Sequence, residues 1–265
     1  MGMAPQLEPI TEHTVAQAVR DSGIDAPARF VEVTGSTNAD LLRQTSEAAP
    51  AWTVLVAGEQ LAGRGRLGRT WVSKPGQSLL VSVLLRPSVP AERAPLLSLA
   101  AGVAMVRACG SACGVQARCK WPNDVVVGGR KLAGILAEAA FAGSRLDHVV
   151  IGAGVNLWQR RADFPQELHE AATSVALEGG RPDALALLRE YLRELAALCA
   201  AGLDSHVIDP YRRRCATIGR TVRAQVSSGT TVEGVAEDIG PSGDLVLRTT
   251  HGERRITFGE IVHLD

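Results

Sequence analysis

The sequence predicts an α+β protein with a larger domain of mixed strands and helices and a small C-terminal β-barrel. In the larger domain, β-branched and Leu-rich segments bounded by Gly and Pro occur at 53–60 and 77–87, and an amphipathic helical pattern covers 182–201. Pro182 suits the first turn of that helix, and Gly202 suits its end. The barrel is predicted because five short strand-like segments with Gly-rich turns fill about the last 50 residues. The expected domains are 1–214 and 215–265.

The remaining elements of the larger domain follow from residue spacing. Residues 92–109 carry apolar side chains at helical intervals and predict a helix with one buried stripe. Short strands are expected to flank residues 120–124, with Gly128-Gly129 as the next turn. By period alone, residues 131–140 fit either a strand or a helix. Further predictions are a buried strand at 148–157 and a short helix near 204–214.

Composition argues against several functional classes. Hydrophobic residues make up 46% and charged residues 21%, as in ordinary soluble proteins, and the formal net charge is zero. Proteins that bind duplex nucleic acid usually carry an excess of basic residues. No run of the sequence approaches the roughly 18 consecutive apolar residues that span a membrane, and the N-terminus lacks the features of a signal peptide. We therefore expect a cytoplasmic protein with no membrane and no nucleic-acid partner.

The cysteines do not form a recognisable framework. There are five, at irregular spacing, which is typical of reduced thiols rather than disulfides. Cys109 and Cys113 lie four positions apart with no His or second Cys pair nearby, so a zinc site is not expected. No residue is assigned as a metal ligand.

The segment GRGRLGRTW (63–71) resembles two phosphate-binding patterns without fulfilling either. Its glycines satisfy G-x-G-x-x-G, and it is one substitution from a P-loop, with Arg69 in place of the lysine. Both patterns require a helix directly afterwards, and SKPG (73–76) cannot continue one. Arg64, Arg66 and Arg69 can therefore either fold over an anion or form a solvated basic loop.

Three other regions carry polar groups in unusual contexts. GSTN (35–38) can cap a following helix or offer hydroxyls to a ligand, and taken alone it favours capping. KWPND (120–124) combines a cation, an indole and an amide–acid pair, although Asn-Asp after Pro is also ordinary turn material. Lys131 lies between two glycines that permit close approach of a ligand to the backbone. GAGVN (152–156) ends an apolar strand, with Asn156 at its tip.

These segments, in this order, resemble the catalytic domain of biotin–protein ligases. The match runs through GSTN, EQLAGRGRLGRTW, KWPNDVVVGGRKLAGILAE and GAGVN and covers the chain from about residue 30 to its end. It implies a mixed-sheet α+β catalytic domain followed by an SH3-like barrel. It also implies an enzyme that adenylates biotin with ATP and Mg²⁺ and then attaches biotin to a lysine of a carrier. That carrier would be the biotin carboxyl carrier protein or domain of an acyl-CoA or pyruvate carboxylase.

The resemblance also implies which residues bind the substrates. The residues expected at the ureido ring of biotin are Ser36, Thr37 and Gln60. The residues expected to order over biotin and the adenylate are Arg64, Gly65 and Arg66. Trp71 is expected along the aliphatic tail, and Lys131 at the biotin carboxylate and α-phosphate. The residues expected on the nucleotide side are Asn123 and Asn156, and Asn38 and Lys120 complete the binding set.

The chemistry identifies candidate catalytic residues. Attack of the biotin carboxylate on the α-phosphorus brings two anions together, and positive charge must offset their repulsion. Lys131, Arg66 and Arg64 can do so, with Mg²⁺ bridging phosphate oxygens. Asp124 is the candidate carboxylate that orients or deprotonates the incoming lysine. Lys131, Arg66 and Asp124 are therefore the expected catalytic residues.

Two alternatives remain open on the sequence alone. A lipoate–protein ligase-like enzyme would share the fold and the adenylate chemistry, and a nucleic-acid-binding regulatory module would use the arginine loop and the barrel. KWPND together with GRGR-x-GR favours biotin, and zero net charge opposes nucleic acid. About 30 residues precede GSTN, which is too few for the operator-binding winged helix of some members. Leu67 stands where some members have a further arginine, so one phosphate contact is expected to be missing.

Overall fold

The computed structural model describes residues 8–45, 49–226, 230–257 and 259–264, and these build two sheets and five α-helices. The helices are α1 (Glu12–Asp21), α2 (Thr37–Gln44), α3 (Ala94–Cys113), α4 (Ala184–Ala201) and α5 (Ser205–Arg214). The strands of the larger sheet are β1 (Ala28–Thr34), β2 (Val54–Gln60), β3 (Ser78–Leu85), β4 (Arg118–Lys120), β5 (Asp124–Val127), β6 (Arg130–Ala142) and β7 (Arg145–Asn156). The strands of the smaller sheet are β8 (Thr221–Gln225), β9 (Thr231–Ile239), β10 (Leu245–Thr249), β11 (Gly252–Ile256) and β12 (Glu260–His263).

The larger sheet is mixed, which confirms the expected α+β architecture. Its order is β1-β2-β3-β7-β6-β5-β4, with β1 and β2 parallel and every other neighbouring pair antiparallel. The segment 131–140, which was ambiguous by period, lies in β6 because it pairs with β7 from Ala133 to Ala142. Gly128 and Gly129 form the turn before β6, and both have positive φ values, 55° and 82°, that favour glycine.

Helix α3 differs from its prediction in both length and burial. It extends to Cys113 and ends at Gly114, whose φ of 71° is left-handed. Instead of one buried stripe it is buried on most sides, because it packs against α4, α5 and the larger sheet. Residues 91–113 are long and on average apolar enough to cross a membrane, but Glu92, Arg93 and Arg107 interrupt them, so they are not a run of consecutive apolar residues. Most of this segment is buried within the protein, as in the core helix of a folded domain.

The remaining helices agree with the sequence-based predictions only in part. Helix α4 starts after Asp183, whose side chain accepts a hydrogen bond from Ala186 N at 2.9 Å, so Pro182 precedes the cap instead of lying in the first turn. Gly202 follows the helix as predicted. Helix α1 and strand β1 were not predicted, although Thr11 and Thr14 form a capping box at the start of α1.

The smaller sheet is antiparallel throughout, in the order β11-β10-β9-β8-β12, as expected for the SH3-like domain. The proposed boundary after residue 214 falls between α5 and β8. Trp121 connects this sheet to the larger domain. It is 2% exposed, its Nε1 donates to the Gly243 carbonyl oxygen at 2.9 Å, and its backbone N donates to Thr217 Oγ1 at 3.1 Å. The indole of KWPND therefore joins the two domains.

Candidate active site

A cavity of about 680 Å³ brings together every residue predicted for the site. It is bounded by the start of α2, the end of β2, the arginine loop, the β4–β5 turn, the facing parts of β6 and β7, and β12. The predicted residues that line it are Ser36, Thr37, Asn38, Gln60, Arg64, Gly65, Arg66, Trp71, Lys120, Asn123, Asp124, Lys131 and Asn156. Segments far apart in the sequence meet here because β7 pairs with both β3 and β6.

Glycines on the central strands provide the space in which two predicted residues sit. Gly134 and Gly154 are register partners on β6 and β7, and the Trp71 indole lies against both. A Cβ at Gly154 would stand 2.6 Å from Trp71 Cε2, and a Cβ at Gly152 would stand 2.3 Å from Asn38 Oδ1. The glycines of GAGVN are therefore required by the side chains packed on them.

The start of α2 is arranged differently from the capping interpretation of GSTN. Ser36 occupies the N-cap position, but its side chain makes no capping hydrogen bond, so that interpretation was wrong for its hydroxyl. Gln60 takes this role instead, because its Oε1 accepts from Thr37 N at 2.8 Å and lies 3.1 Å from Thr37 Oγ1. As a result the Ser36 side chain is buried at the cavity without being used as a cap.

The arginine loop is exposed to solvent but is anchored at both ends by ion pairs. Arg64 Nη2 lies 3.2 Å from Glu138 Oε2 on β6, and Arg69 Nη2 lies 2.5 Å from Glu260 Oε2 on β12. Leu67, between them, is 71% exposed and has a φ of 54°. The loop therefore bridges the larger sheet and the C-terminal domain while its centre faces outwards.

Arg66 is half-buried, whereas Arg64 and Arg69 are exposed. Its Nη1 donates to Asn123 Oδ1 and to the Gly259 carbonyl oxygen, each at 3.2 Å. Burial lowers the pKa of Arg66, and the nearby carboxylates of Glu260 and Asp124 oppose that shift. A guanidinium remains charged in proteins, so Arg66 supplies a fixed positive charge at the junction of the two domains.

Lys131 and Asp124 form an ion pair on the cavity wall. Lys131 Nζ lies 2.7 Å from Asp124 Oδ1 and 5.9 Å from the centre of the Trp71 ring, which is within cation–π range. The backbone of Lys131 is also fixed, because its N donates to the Ala171 oxygen at 2.7 Å and its oxygen accepts from Thr173 N at 2.9 Å. A cation, a carboxylate and an indole therefore meet at one point of the cavity.

The two asparagines predicted on the nucleotide side are held by protein partners. Asn123 Nδ2 donates to the Ile135 oxygen at 2.8 Å. Asn156 Nδ2 donates to the Thr173 oxygen at 3.0 Å, and its Oδ1 accepts from Gln159 Nε2 at 3.2 Å. Both side chains thus help to build the cavity wall.

Sequence reasoning missed part of the lining. The missed residues are Val72, Ser73, Lys74, Gln159, Ala162, Asp163, Phe164, Pro165, Leu168, Ala171, Ala172, Glu260, Ile261 and Val262, among others. Lys74 Nζ lies 2.6 Å from Asp163 Oδ1 and so connects the segment after the arginine loop with the segment after β7. None of these residues belongs to a recognisable motif, although Gln159 lies only three positions after Asn156.

Comparison with known proteins agrees with this geometry. Residues 30–156 match the Biotin/lipoate A/B protein ligase family, and residues 217–264 match the Biotin protein ligase C terminal domain. The biotin–[acetyl-CoA-carboxylase] ligase of Mycobacterium tuberculosis is 38% identical over 242 residues, which span 88% of this chain and 88% of that protein. The chain belongs to the biotin–protein ligase family.

Two further members of the family match this chain over most of its length. The biotin–[acetyl-CoA-carboxylase] ligase of Paracoccus denitrificans is 36% identical over 86% of this chain and 97% of its own length. The structure of the Aquifex aeolicus biotin protein ligase in complex with biotin and ATP superposes with a TM-score of 0.72 at 25% identity, covering 89% of this chain and 97% of that one. The resemblance drawn from the motifs is therefore confirmed, as is the fold that it implied.

Proposed function

We propose that this ATP-dependent biotin–protein ligase performs both of its half-reactions in the cavity described above. Biotin is first activated to biotinyl-5′-AMP with release of pyrophosphate, and is then transferred to a lysine of a carrier protein. The main support for assigning the reaction to this cavity is that Lys131, Asp124 and Trp71 meet on glycine-lined strands. Arg66 lines the same cavity. The Aquifex aeolicus ligase, whose structure holds biotin and ATP, supports the choice of substrates.

Biotin is placed with its ureido ring at Ser36, Thr37 and Gln60, and with its aliphatic tail along Trp71. The ring carries N–H donors and a carbonyl acceptor, which match hydroxyl and carboxamide groups held at a helix start. Trp71 offers an apolar face directly over Gly154 and leads towards Lys131. This orientation directs the carboxylate at the end of the tail to the positively charged part of the cavity.

In the first half-reaction a biotin carboxylate oxygen attacks the α-phosphorus of ATP, and the bond to the departing pyrophosphate breaks. The attacking carboxylate and the phosphate are both anionic, so the barrier falls when fixed cations stabilise the charge that gathers between them. Lys131 and Arg66 are assigned this role, and Arg64, Gly65 and Lys120 are assigned to the same charged region. Asn123 and Asn156 are assigned to the nucleotide side of that region.

In the second half-reaction the carrier lysine nitrogen attacks the acyl carbon of biotinyl-AMP, and AMP leaves with the electron pair of the broken bond. The attacking amine must be unprotonated, and a nearby carboxylate can orient it or accept its proton. Asp124 is assigned this role because it lies in the cavity beside Lys131. The carrier is proposed to be the biotin carboxyl carrier protein or domain of an acyl-CoA or pyruvate carboxylase, and the location to be cytoplasmic.

The donor set of the cavity fits a phosphate-bound Mg²⁺. This ion is usually held by one or two carboxylates together with substrate phosphates and water. Glu260 is a carboxylate of the cavity lining that would hold it. Within the described residues no cluster of three or more His, Cys, Asp or Glu side chains forms a cage. When bound, Mg²⁺ supplies charge neutralisation at the phosphate oxygens.

The test is pyrophosphate release from the purified protein with ATP and Mg²⁺, comparing biotin with lipoate. Release with biotin alone supports the proposal, and subsequent labelling of a biotin carboxyl carrier domain by the isolated adenylate tests the second step. Release with lipoate alone would assign the cavity to the related lipoate chemistry instead. Release with neither acid would refute the proposed activity.

A further inference from the structure

Glu138 connects two parts of the site that the proposed mechanism uses separately. It stands on β6 and is not among the residues that line the cavity. Its Oε2 accepts hydrogen bonds from Asn38 Nδ2 at 2.7 Å and from Arg64 Nη2 at 3.2 Å. We propose that Glu138 is a positioning residue whose carboxylate sets the Asn38 amide at the biotin end and holds Arg64 of the arginine loop. This inference rests on the proposed placement of the biotin ring.

Glu138 and the Leu136 carbonyl fix the orientation of the Asn38 amide. Its Nδ2 faces Glu138 Oε2 and, at 3.2 Å, the Leu136 carbonyl oxygen. A carboxylate and a carbonyl can only accept hydrogen bonds, so both positions require the amide nitrogen. Asn38 Oδ1 must therefore face Ser82 Oγ, which lies 2.6 Å away and donates to it. Asn38 and Ser82 are 3% and 0% exposed, so water does not compete for these groups.

Ser82 links this orientation to the biotin end of the cavity. Ser82 Oγ also lies 2.7 Å from Thr37 Oγ1, but its single hydrogen is already committed to Asn38. The Thr37 hydroxyl can therefore donate its own hydrogen to Ser82, to Gln60 or to a ligand carbonyl. Glu138, acting through Asn38 and Ser82, thus keeps the Ser82 hydrogen away from Thr37 Oγ1, which can then accept from an N–H of the biotin ring.

The contact with Arg64 contributes less to the expected effect. The side chains of Arg64 and Glu138 are 44% and 27% exposed, and ion pairs this open to water are weak. The hydrogen bond between Glu138 and Asn38 is charge-assisted, and Asn38 is buried. Loss of this bond should therefore affect biotin binding more than loss of the Arg64 contact does. Replacement of Glu138 is therefore expected to affect biotin binding more than binding of ATP.

Glu138→Gln tests this, because glutamine keeps the size of the side chain but removes the negative charge that strengthens the hydrogen bond from Asn38. The control is Glu194→Gln. Glu194 pairs with Arg107 at 2.7 Å, with both side chains 30% exposed, and it does not line the cavity. Biotin and ATP KM values come from pyrophosphate release, and the biotin Kd comes from calorimetry on the full chain. Thermal unfolding of each variant shows whether it is folded.

The proposal expects Glu138→Gln to raise the KM and Kd of biotin about ten-fold, the range of a charge-assisted hydrogen bond. The ATP KM should stay unchanged, and Glu194→Gln should match the wild type. Combining Glu138→Gln with Asn38→Ala should weaken biotin binding no more than Asn38→Ala alone.

Wild-type biotin affinity in Glu138→Gln, or equal increases in the KM values of biotin and ATP, would overturn the proposed role of Glu138. A wild-type protein that binds biotin without releasing pyrophosphate contradicts the proposed activity but leaves this test decisive. A wild-type protein that does not bind biotin overturns both.

Discussion

Lys131 Nζ lies 2.7 Å from Asp124 Oδ1, and both side chains face the same cavity. They come from adjacent strands, β6 and β5, whose pairing includes a register shift between Val125 and Val126. In the proposed mechanism the pair places a cation for the first half-reaction beside a carboxylate for the second. Because the two groups are in contact, removal of either one alters the surroundings of the other. Single substitutions must therefore be compared in both half-reactions.

Lys131→Ala should slow adenylation by on the order of 10²–10³, the usual effect of removing one donor from a charge-stabilising site. Pyrophosphate release with biotin and ATP measures this. Arg130→Gln is a suitable control, because Arg130 precedes Lys131 on β6, pairs with Glu178 at 2.8 Å and does not line the cavity. Near-normal release from Lys131→Ala would remove this lysine from the mechanism.

Asp124→Ala should slow transfer to the carrier more than it slows adenylate formation. The physical reason is that the incoming amine needs a proton acceptor or an orienting group, whereas adenylation depends on positive charge. Single-turnover assays that start from preformed biotinyl-AMP separate the two steps. Equal losses in both steps would contradict this division of labour and would indicate that Asp124 acts mainly by holding Lys131.

Gly154→Ala should displace the Trp71 indole. The new Cβ would stand 2.6 Å from Trp71 Cε2, so the ring must move, and overpacking of this kind costs about 1–3 kcal/mol. We expect a higher biotin KM and a changed tryptophan fluorescence spectrum. Gly110→Ala is the control, since no atom lies within 4 Å of a Cβ built at this helical glycine. An unchanged biotin KM in a folded Gly154→Ala variant would show that biotin does not lie along Trp71.

The arginine loop should be cut by trypsin between Arg64 and Arg69, and biotin with ATP should protect it. Glu260→Gln should accelerate cleavage without biotin and ATP, because it removes the carboxylate 2.5 Å from Arg69. The increase should be several-fold at most, since Arg69 is 70% exposed and exposed ion pairs contribute only about 0.2–1 kcal/mol. Identical cleavage rates with and without both substrates would argue against closure of the loop.

The cysteines should be unreactive in the folded protein near neutral pH. Burial raises the pKa of Cys199 to about 11 and raises the pKa values of the four buried thiols as well. Because the thiolate is the reactive form, labelling by a thiol reagent should be slow at pH 8 and should accelerate as the pH rises. Denatured protein provides the control in which all five thiols react. Rapid labelling of the native protein at pH 8 would contradict the burial described here.

The sequence alone was sufficient for the family, and the site residues predicted from it meet in one cavity. Arg64, Trp71, Asn123 and Lys131 each lie in a motif whose letters and order are specific, and all of them line the cavity. Turn residues and apolar spacing also predicted most strands and the helix that Gly202 follows. They succeeded because turn residues and apolar periodicity act over only a few neighbouring positions.

Relationships between distant residues were decided only by the tertiary structure. Period alone left β6 open between strand and helix, and pairing with β7 determined it. Gln60 replaces Ser36 as the partner of the first amide of α2, and Trp121 serves the domain junction. Glu138 ends the segment KWPNDVVVGGRKLAGILAE and Glu260 lies in no motif. Neither was predicted to contact the arginine loop, yet each anchors one of its arginines. Such contacts depend on strand order and register, which bring together residues separated by up to about 190 positions in ways that local patterns do not encode.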